Sequence, residues 1–190
     1  MIRIRKCADT ITTWAELRNA VHVGSSPLNI GDEIDIELKT GERVTLVCEQ
    51  VKNGHVTFFT KELLEDTHAM DETGVTGNEK PLSTMEGYLK KLFRLLPDDL
   101  QEVASPLCLL REREVFGKNQ YGNLEECDQL PRYLEPKNRV KRLNDVPFPY
   151  WLATPYMATD ATYFCRVYSD GSNSIIGASY SFGVCFGFDI

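Results

Sequence analysis

"GDEIDIELKTGERVTLVCEQVKNGHVTFFT", Gly31 to Thr60, is the stretch that decides the fold. It holds three runs rich in β-branched residues, "EIDIEL", "RVTLVCEQV" and "HVTFFT", separated by Lys39-Thr-Gly-Glu42 and Lys52-Asn-Gly54. Apolar and polar side chains alternate within the runs, the period of a strand that buries one face. Asn53-Gly54 is a hairpin signal, because both central residues of a tight two-residue turn must accept positive φ. Glu33 to Thr60 is therefore expected to form a three-stranded antiparallel meander.

Upstream, Thr13-Trp-Ala-Glu16 is a capping box, in which hydroxyl and carboxylate satisfy each other's orphan backbone donors. It opens a short helix with Trp14, Leu17 and Val21 on one face, closed by Gly24 to Gly31. Downstream, Met70 to Leu82 is polar and reads as a loop. Ser83-Thr-Met-Glu86 is a second capping box, and Leu89, Leu92, Phe93 and Leu96 form the apolar stripe of the helix it starts. Pro97 breaks that helix, and a last turn runs through Leu100 and Val103. "PLCLLRERE", from Pro106, reads as a buried strand and its exit. Gly117 to Asn144, with Pro131 and Pro136, is irregular over a length that suggests a functional or wrapping loop. "YWLAT", "TYFCRVY" and "GVCFGFDI" are three closing strands, the last two joined through the turn Ser169-Asp-Gly-Ser172 and a Ser/Gly-rich segment. Strands, then a helix, then strands predict an α+β fold with an antiparallel sheet.

The chain of 190 residues, 42% hydrophobic and 26% charged, has a globular composition and the length of one domain with a small N-terminal appendage. Its net charge of -7 opposes tracking of a phosphate backbone, so no nucleic-acid partner is expected. The one basic cluster, Lys137, Arg139, Lys141 and Arg142, lacks interleaved aromatics and reads as a solvated loop. "MIRIRKCADTITTW" has no apolar core of a signal peptide, and no window approaches a membrane span, so no membrane insertion is expected. The six cysteines contain no C-x-x-C pair. Reduced thiols are expected, with neither a zinc site nor a disulfide framework. His22, His55 and His68 are too scattered to suggest a metal site, and no cofactor is called for.

"YWLATP" at Tyr150 to Pro155, "CRVYSDGS" at Cys165 to Ser172 and "GVCFGFDI" at Gly183 to Ile190 resemble the C-terminus of a bacterial and phage domain family of unknown function. That family's tail runs Trp-Trp-Leu-Arg-Ser-Pro, then a Val-x-x-x-Gly strand and turn, then Gly-Val-Arg-Pro-Ala. "SPLCLLREREVFG", Ser105 to Gly117, is similar to its Leu-Leu-Ser-x-x-Glu-Val segment. Ala153 and Thr154 stand where that family has Arg and Ser, and Cys185 and Phe186 where it has Arg and Pro, so no role of those arginines carries over. Such tails look like the closing strands of the C-type lectin fold, shared with formylglycine-generating enzymes and with diversified receptor-binding proteins of phages. The resemblance implies a C-type-lectin-like domain over 30–190, with 1–29 an appendage or attachment helix. It also implies a place in a virion or in bacterial cytoplasm.

In that fold the last strands and their loops form one exposed face. The tail suits such a face on independent grounds, since Tyr supplies amphipathic area at low entropy cost and Ser, Asn and Gly supply adaptable hydrogen bonds. Tyr156, Tyr163, Arg166, Tyr168, Asn173 and Tyr180 are the candidate ligand contacts. Along "TYFCRVY", Tyr163, Cys165 and Val167 share one face, while Phe164, Arg166 and Tyr168 share the other and are expected to be the more exposed. Trp151, Leu152, Val184 and Phe188 are assigned to the core. Calcium-assisted sugar binding needs adjacent oxygen ligands. Glu135-Pro-Lys137 puts an ammonium where an oxygen should be, and Asp170-Gly-Ser-Asn173 is a turn. Cys165 and Cys185 invite comparison with a copper oxidase of the formylglycine-generating type, but no His or acid near them in sequence lowers a thiol pKa. Glu112 and Glu114, beside arginines, read as salt-bridged surface. The expected function is non-enzymatic binding of a host surface protein, a glycan or another virion protein. A virion structural or decoration role is the alternative, and a homo-oligomer is one form that role would take.

Overall fold

The expected meander is present in the computed structural model, which describes residues 13–52, 54–73, 84–121, 125–157 and 160–190. Strands β1 (Glu33–Glu37), β2 (Arg43–Lys52) and β3 (His55–Thr60) pair antiparallel, with Glu33 opposite Val47 and Val47 opposite Phe59. Gly54 takes φ 78° in the turn between β2 and β3; Asn53, the other half of that signal, lies outside the described residues. A bulge between Cys48 and Gln50 breaks the alternation of β2 and leaves Glu49 buried, as an extra residue in one strand re-aims its side chain.

The remaining elements are β4 (His68–Ala69), β5 (Cys108–Leu109), β6 (Arg142–Leu143), β7 (Val146–Pro147), β8 (Tyr150–Met157), β9 (Asp160–Val167), β10 (Asn173–Gly177), β11 (Ser181–Phe182) and β12 (Phe186–Asp189). The helices are α1 (Trp14–His22), α2 (Thr84–Phe93), α3 (Asp98–Gln101) and α4 (Glu112–Phe116). The main sheet runs β1-β2-β3-β12-β5, and a second, three-stranded sheet runs β10-β9-β8. All the strand pairs are antiparallel, so the chain is α+β with small antiparallel sheets.

Two apolar cores sit between these elements. The larger joins α1, α2 and α3 to Ile34, Leu46, Phe58, Phe186 and Phe188 of the main sheet. The smaller joins Phe59 and Leu110 to Tyr150, Leu152, Cys165 and Val167 of the second sheet, and to Tyr133. The capping box of α1 forms as expected, Glu16 N–H donating to Thr13 Oγ1 at 3.2 Å and Thr13 N–H to Glu16 Oε2 at 3.1 Å. Its Trp14 ring lies 5.8 Å from Phe58 and 6.3 Å from Phe188. The apolar face of α1 therefore closes the main core. Ser83, the cap expected for α2, lies outside the described residues; Met85, Leu89 and Leu92 of that helix are buried as its stripe requires.

Three local readings change. Glu112 to Phe116 is a helix, not the exit of a strand, and Asn173 to Gly177 is a strand, not a connection. The basic cluster is not wholly solvated. Lys141 is buried, because its ammonium donates to the carbonyls of Thr60 at 2.6 Å and Lys61 at 3.0 Å. Arg139 donates to the Tyr133 carbonyl at 3.1 Å from both Nε and Nη2. These bonds tie the segment after α4 across the sheet, with Leu130 and Tyr133 buried beneath it and two 3-10 turns, Pro131–Leu134 and Pro136–Arg139, shaping it. Among the described residues no helix is long and apolar enough to cross a membrane.

Replacing Trp14 by Ala should lower stability by about 3–5 kcal/mol, the cost of emptying an aromatic site in a packed core. Urea titration of the two proteins measures it, and a loss below about 1 kcal/mol would mean that α1 is dispensable to the core.

Candidate functional site

The C-terminal hairpin positions the candidate residues. Its turn is built from Asp170-Gly171: Asp170 Oδ1 accepts the Ser172 N–H at 2.8 Å, the Tyr168 N–H donates to the Ser172 carbonyl at 2.8 Å, and Gly171 takes φ 84°. The left-handed φ favours glycine, and the Asx bond closes the turn without a metal. Likewise Asn144 and Asp145 form the turn between β6 and β7, with φ of 50° and 64°. Lys137 Nζ lies 3.3 Å from Glu135 Oε2 in an exposed ion pair. Beyond this turn, Asn173 pairs with Val167, Ile175 with Cys165, and Trp151 of β8 with Arg166.

The six candidates fall on two opposite faces, the strand residues by the pleat and Tyr180, in the turn before β11, by its contact with Phe182. Arg166, Tyr168 and Tyr180 gather on one of them with Phe182. The Arg166 guanidinium carbon lies 4.5 Å from the Phe182 ring centroid and 5.0 Å from that of Tyr168. Tyr180 stacks on Phe182 at 6.5 Å and 24°. Tyr168 and Tyr180 are 44% and 58% exposed, and Arg166 is half-buried. Arg166 Nε is buried and has no hydrogen-bond partner. Burial pulls the Arg166 pKa below its ordinary value, and no carboxylate of the described residues forms an ion pair with it. The guanidinium is therefore held by ring faces, in a cation–π contact with Tyr168 and Phe182, and not by a carboxylate.

This face is braced from behind. Trp151 packs edge-on to Phe182 at 5.1 Å, and its indole N–H donates to the His68 carbonyl at 2.7 Å. His68 pairs with Phe182 across β4 and β11, and its ring stacks on Tyr88 at 3.6 Å. His68 Nε2 is buried without a partner, and burial lowers the imidazole pKa from its ordinary 6.5.

Tyr156, Tyr163 and Asn173 lie on the other face. Tyr156 is 6.0 Å from Tyr121 and 6.5 Å from Tyr163, ring to ring. Asn173 Nδ2 donates to Glu112 Oε1 at 2.5 Å. Glu112 is fully buried, not salt-bridged surface. Its burial goes with the way α4 begins, where three successive backbone donors are met by side chains. Glu114 accepts the Arg111 N–H at 2.7 Å, Thr154 Oγ1 the Glu112 N–H at 2.8 Å, and Glu125 Oε2 the Arg113 N–H at 3.1 Å. Thr154 in turn donates to Glu125 Oε1 at 2.5 Å. These caps answer the orphan donors of a helix start and pin α4 against β8. Sequence reading missed Glu112 because Arg111 and Arg113 flank it; the signal available was Thr154, a hydroxyl inside an apolar strand that needs a partner.

Trp151, Leu152, Val184 and Phe188 are buried. Cys165 and Cys185 are buried in the smaller core, and burial raises both thiol pKa values. Among the described residues, no group of three or more His, Cys, Asp or Glu is placed to hold a metal ion. What the fold and site define together is an α+β domain with an exposed aromatic–arginine cluster on one face of its C-terminal sheet. No protein-family model, curated protein or solved structure matches the chain.

The His68 shift has a definite sign. The unfolded chain binds the imidazole proton at the ordinary pKa of 6.5 and the folded chain binds it more weakly, so acidification favours unfolding. Relative to a His68→Gln variant, the wild type should hold its full stability above pH 6.5 and lose it as pH falls below that value. Parallel denaturant titrations at a series of pH values check this, and a pH-independent difference would refute it.

Proposed function

We propose that this protein is a non-enzymatic binding protein of phage or prophage origin with a C-type-lectin-like domain. Its contact surface is the face carrying Arg166, Tyr168, Tyr180 and Phe182. The observation that carries the reading is Arg166, a half-buried guanidinium set between two rings, with Nε unbonded. A merely structural arginine is held by a carboxylate or a carbonyl, since an unpaired charge is costly to desolvate. Lys141 and Arg139 in the same chain are held in that way. Arg166 instead presents the pattern of an interface anchor, an arginine among exposed tyrosines. The likeness of the tail to the closing strands of C-type lectins supports placing the ligand there. The partner is a host envelope component, protein or glycan, or another virion protein.

Purified, labelled protein should bind saturably to envelope preparations from a susceptible bacterium. An Arg166→Ala/Tyr168→Ala variant should lose at least roughly tenfold in affinity, the loss typical of one anchor residue. Binding that the variant retains would move the contact elsewhere. No binding to any preparation of a broad panel would favour the decoration role, with the exposed tyrosines covered by a neighbouring subunit.

A further inference from the structure

Between α2 and the segment that follows α3 lies a groove of about 770 Å³. One wall is a stripe of α2 and the turn after it, formed by Glu86, Leu89, Lys90, Phe93 and Arg94. Residues three and four apart share a helix face, so these side chains look the same way. Ala104, Pro106 and Leu107 form the other wall. That wall is pinned to the end of β12, since the Ser105 N–H donates to the Asp189 carbonyl at 2.8 Å and Ser105 Oγ accepts the Asp189 N–H at 2.9 Å.

The floor of the groove is apolar and incompletely covered. Of the stripe Leu89, Leu92, Phe93 and Leu96, three residues are buried in the larger core. Phe93 packs against that core and stays half-buried, as do Ala104 and Leu107. The rim is charged. Lys90 and Arg94 are exposed, and neither side chain forms an ion pair or a hydrogen bond among the described residues. Cations in a last helical turn complement the helix dipole, but Lys91 of the same turn does so without lining the groove. In a chain of net charge -7, two unpaired cations along an apolar groove match a partner that carries carboxylates. Glu86, at the far end of the stripe, disfavours a carboxylate there.

Shape narrows the partner further. A small-molecule site buries most of its ligand, whereas this groove is open to solvent and has a helix along one wall. Such a groove receives a second helix through apolar residues at i, i+3, i+4 and i+7. Two carboxylates one turn apart on that helix are separated by about 6 Å along its axis, the rise that also separates residues four apart on α2.

We propose that the α2 groove docks an amphipathic helical segment of a protein partner. Its apolar stripe would lie on Leu89, Phe93, Ala104 and Leu107, and two carboxylates one turn apart would meet Lys90 and Arg94. None of these residues belongs to the Arg166 face, so this is a second surface.

A dye-labelled synthetic helix of Leu, Ala and Glu, with two Glu one turn apart beside its apolar stripe, tests the proposal. It is titrated into the full chain by fluorescence anisotropy, beside counterparts in which Gln or Lys replaces Glu. The Glu helix should bind saturably, and the Gln helix at least roughly threefold more weakly, the scale of two exposed ion pairs. The Lys helix should bind more weakly still. Lys90→Glu/Arg94→Glu should reverse the order of the Glu and Lys helices, Phe93→Ala should weaken all three, and Arg166→Ala should change none. Thermal unfolding of each variant confirms that it is folded, and the charge-reversed variant, altered at exposed positions, keeps the test open should Phe93→Ala fail to fold. No saturable binding of the Glu helix, equal binding of the Glu and Lys helices, or an unchanged order in the folded charge-reversed variant would overturn the assignment. Self-association of the chain in sedimentation equilibrium, lost on charge reversal and with no peptide bound, would replace it with an interface between two copies.

Discussion

The constraint on which the rest of the structure depends is the absence of a side chain at Gly187. Strand β12 lies between β3 and β5, with Gly187 opposite Phe59 on one side and Cys108 on the other. A Cβ at this position would run into the Phe58 carbonyl and the Phe59 ring. Phe59 instead covers the glycine, and Phe186 and Phe188 point together into the larger core. One residue without a side chain thus lets the last strand become a central one. From there the chain is tied back to the second sheet, as Trp151 N–H donates to the Gly183 carbonyl at 3.2 Å and Gly183 N–H to the Pro149 carbonyl at 3.0 Å. The arginine face stands on that connection.

A second constraint is polar. The bulge in β2 buries Glu49, and Arg132 reaches it with a 2.6 Å hydrogen bond from the segment after α4. Burial raises the Glu49 pKa while Arg132 and Lys141 pull it down. Such a pair contributes little net stability, because both charges give up hydration. Its use here is register: Arg132 to Glu49, Lys141 to the Thr60 and Lys61 carbonyls, and the Tyr150 hydroxyl to the Arg139 carbonyl at 2.9 Å fix an irregular stretch at several points. That stretch in turn lids the smaller core.

Local rules made part of this readable. The meander, the Thr13 capping box and the alternation of β9 follow from periodicity and turn chemistry that act over a few residues, and the α+β class follows from their order. What sequence hid depends on distant partners. Nothing near Gly187 announces that β12 enters the centre of the sheet, since its pairing with Phe58 and Phe59 spans most of the chain. Lys141 looks solvated until Thr60 offers its carbonyl, and Glu112 looks like a surface charge until Thr154 and Asn173 close over it. The apolar face of α1 was itself a sign that the helix needed a core to cover it. The six candidate contacts were named singly, and their division three and three was legible only where the pleat sets it, within "TYFCRVY".

That division explains why Arg166 of β9 and Glu112 of α4 both remain without an ionic partner among the described residues. Arg166 and Glu112 carry opposite charge, and a chain selected for stability alone would gain by joining them. They cannot meet, because Arg166 leaves β9 on the side of Trp151 while Asn173, which holds Glu112, pairs with Val167 on the other side. Both sides are packed, one by Phe164 and Trp151, the other by Cys165 and Val167, so no rotamer carries either group through the sheet. A fold that keeps a guanidinium unsatisfied on one face and a carboxyl oxygen unsatisfied on the other has stability to regain at both places. In natural chains unsatisfied buried polar groups are few, and departures of this kind gather at functional sites; on the exposed aromatic face of the hairpin, the Arg166 Nε–H is such a group.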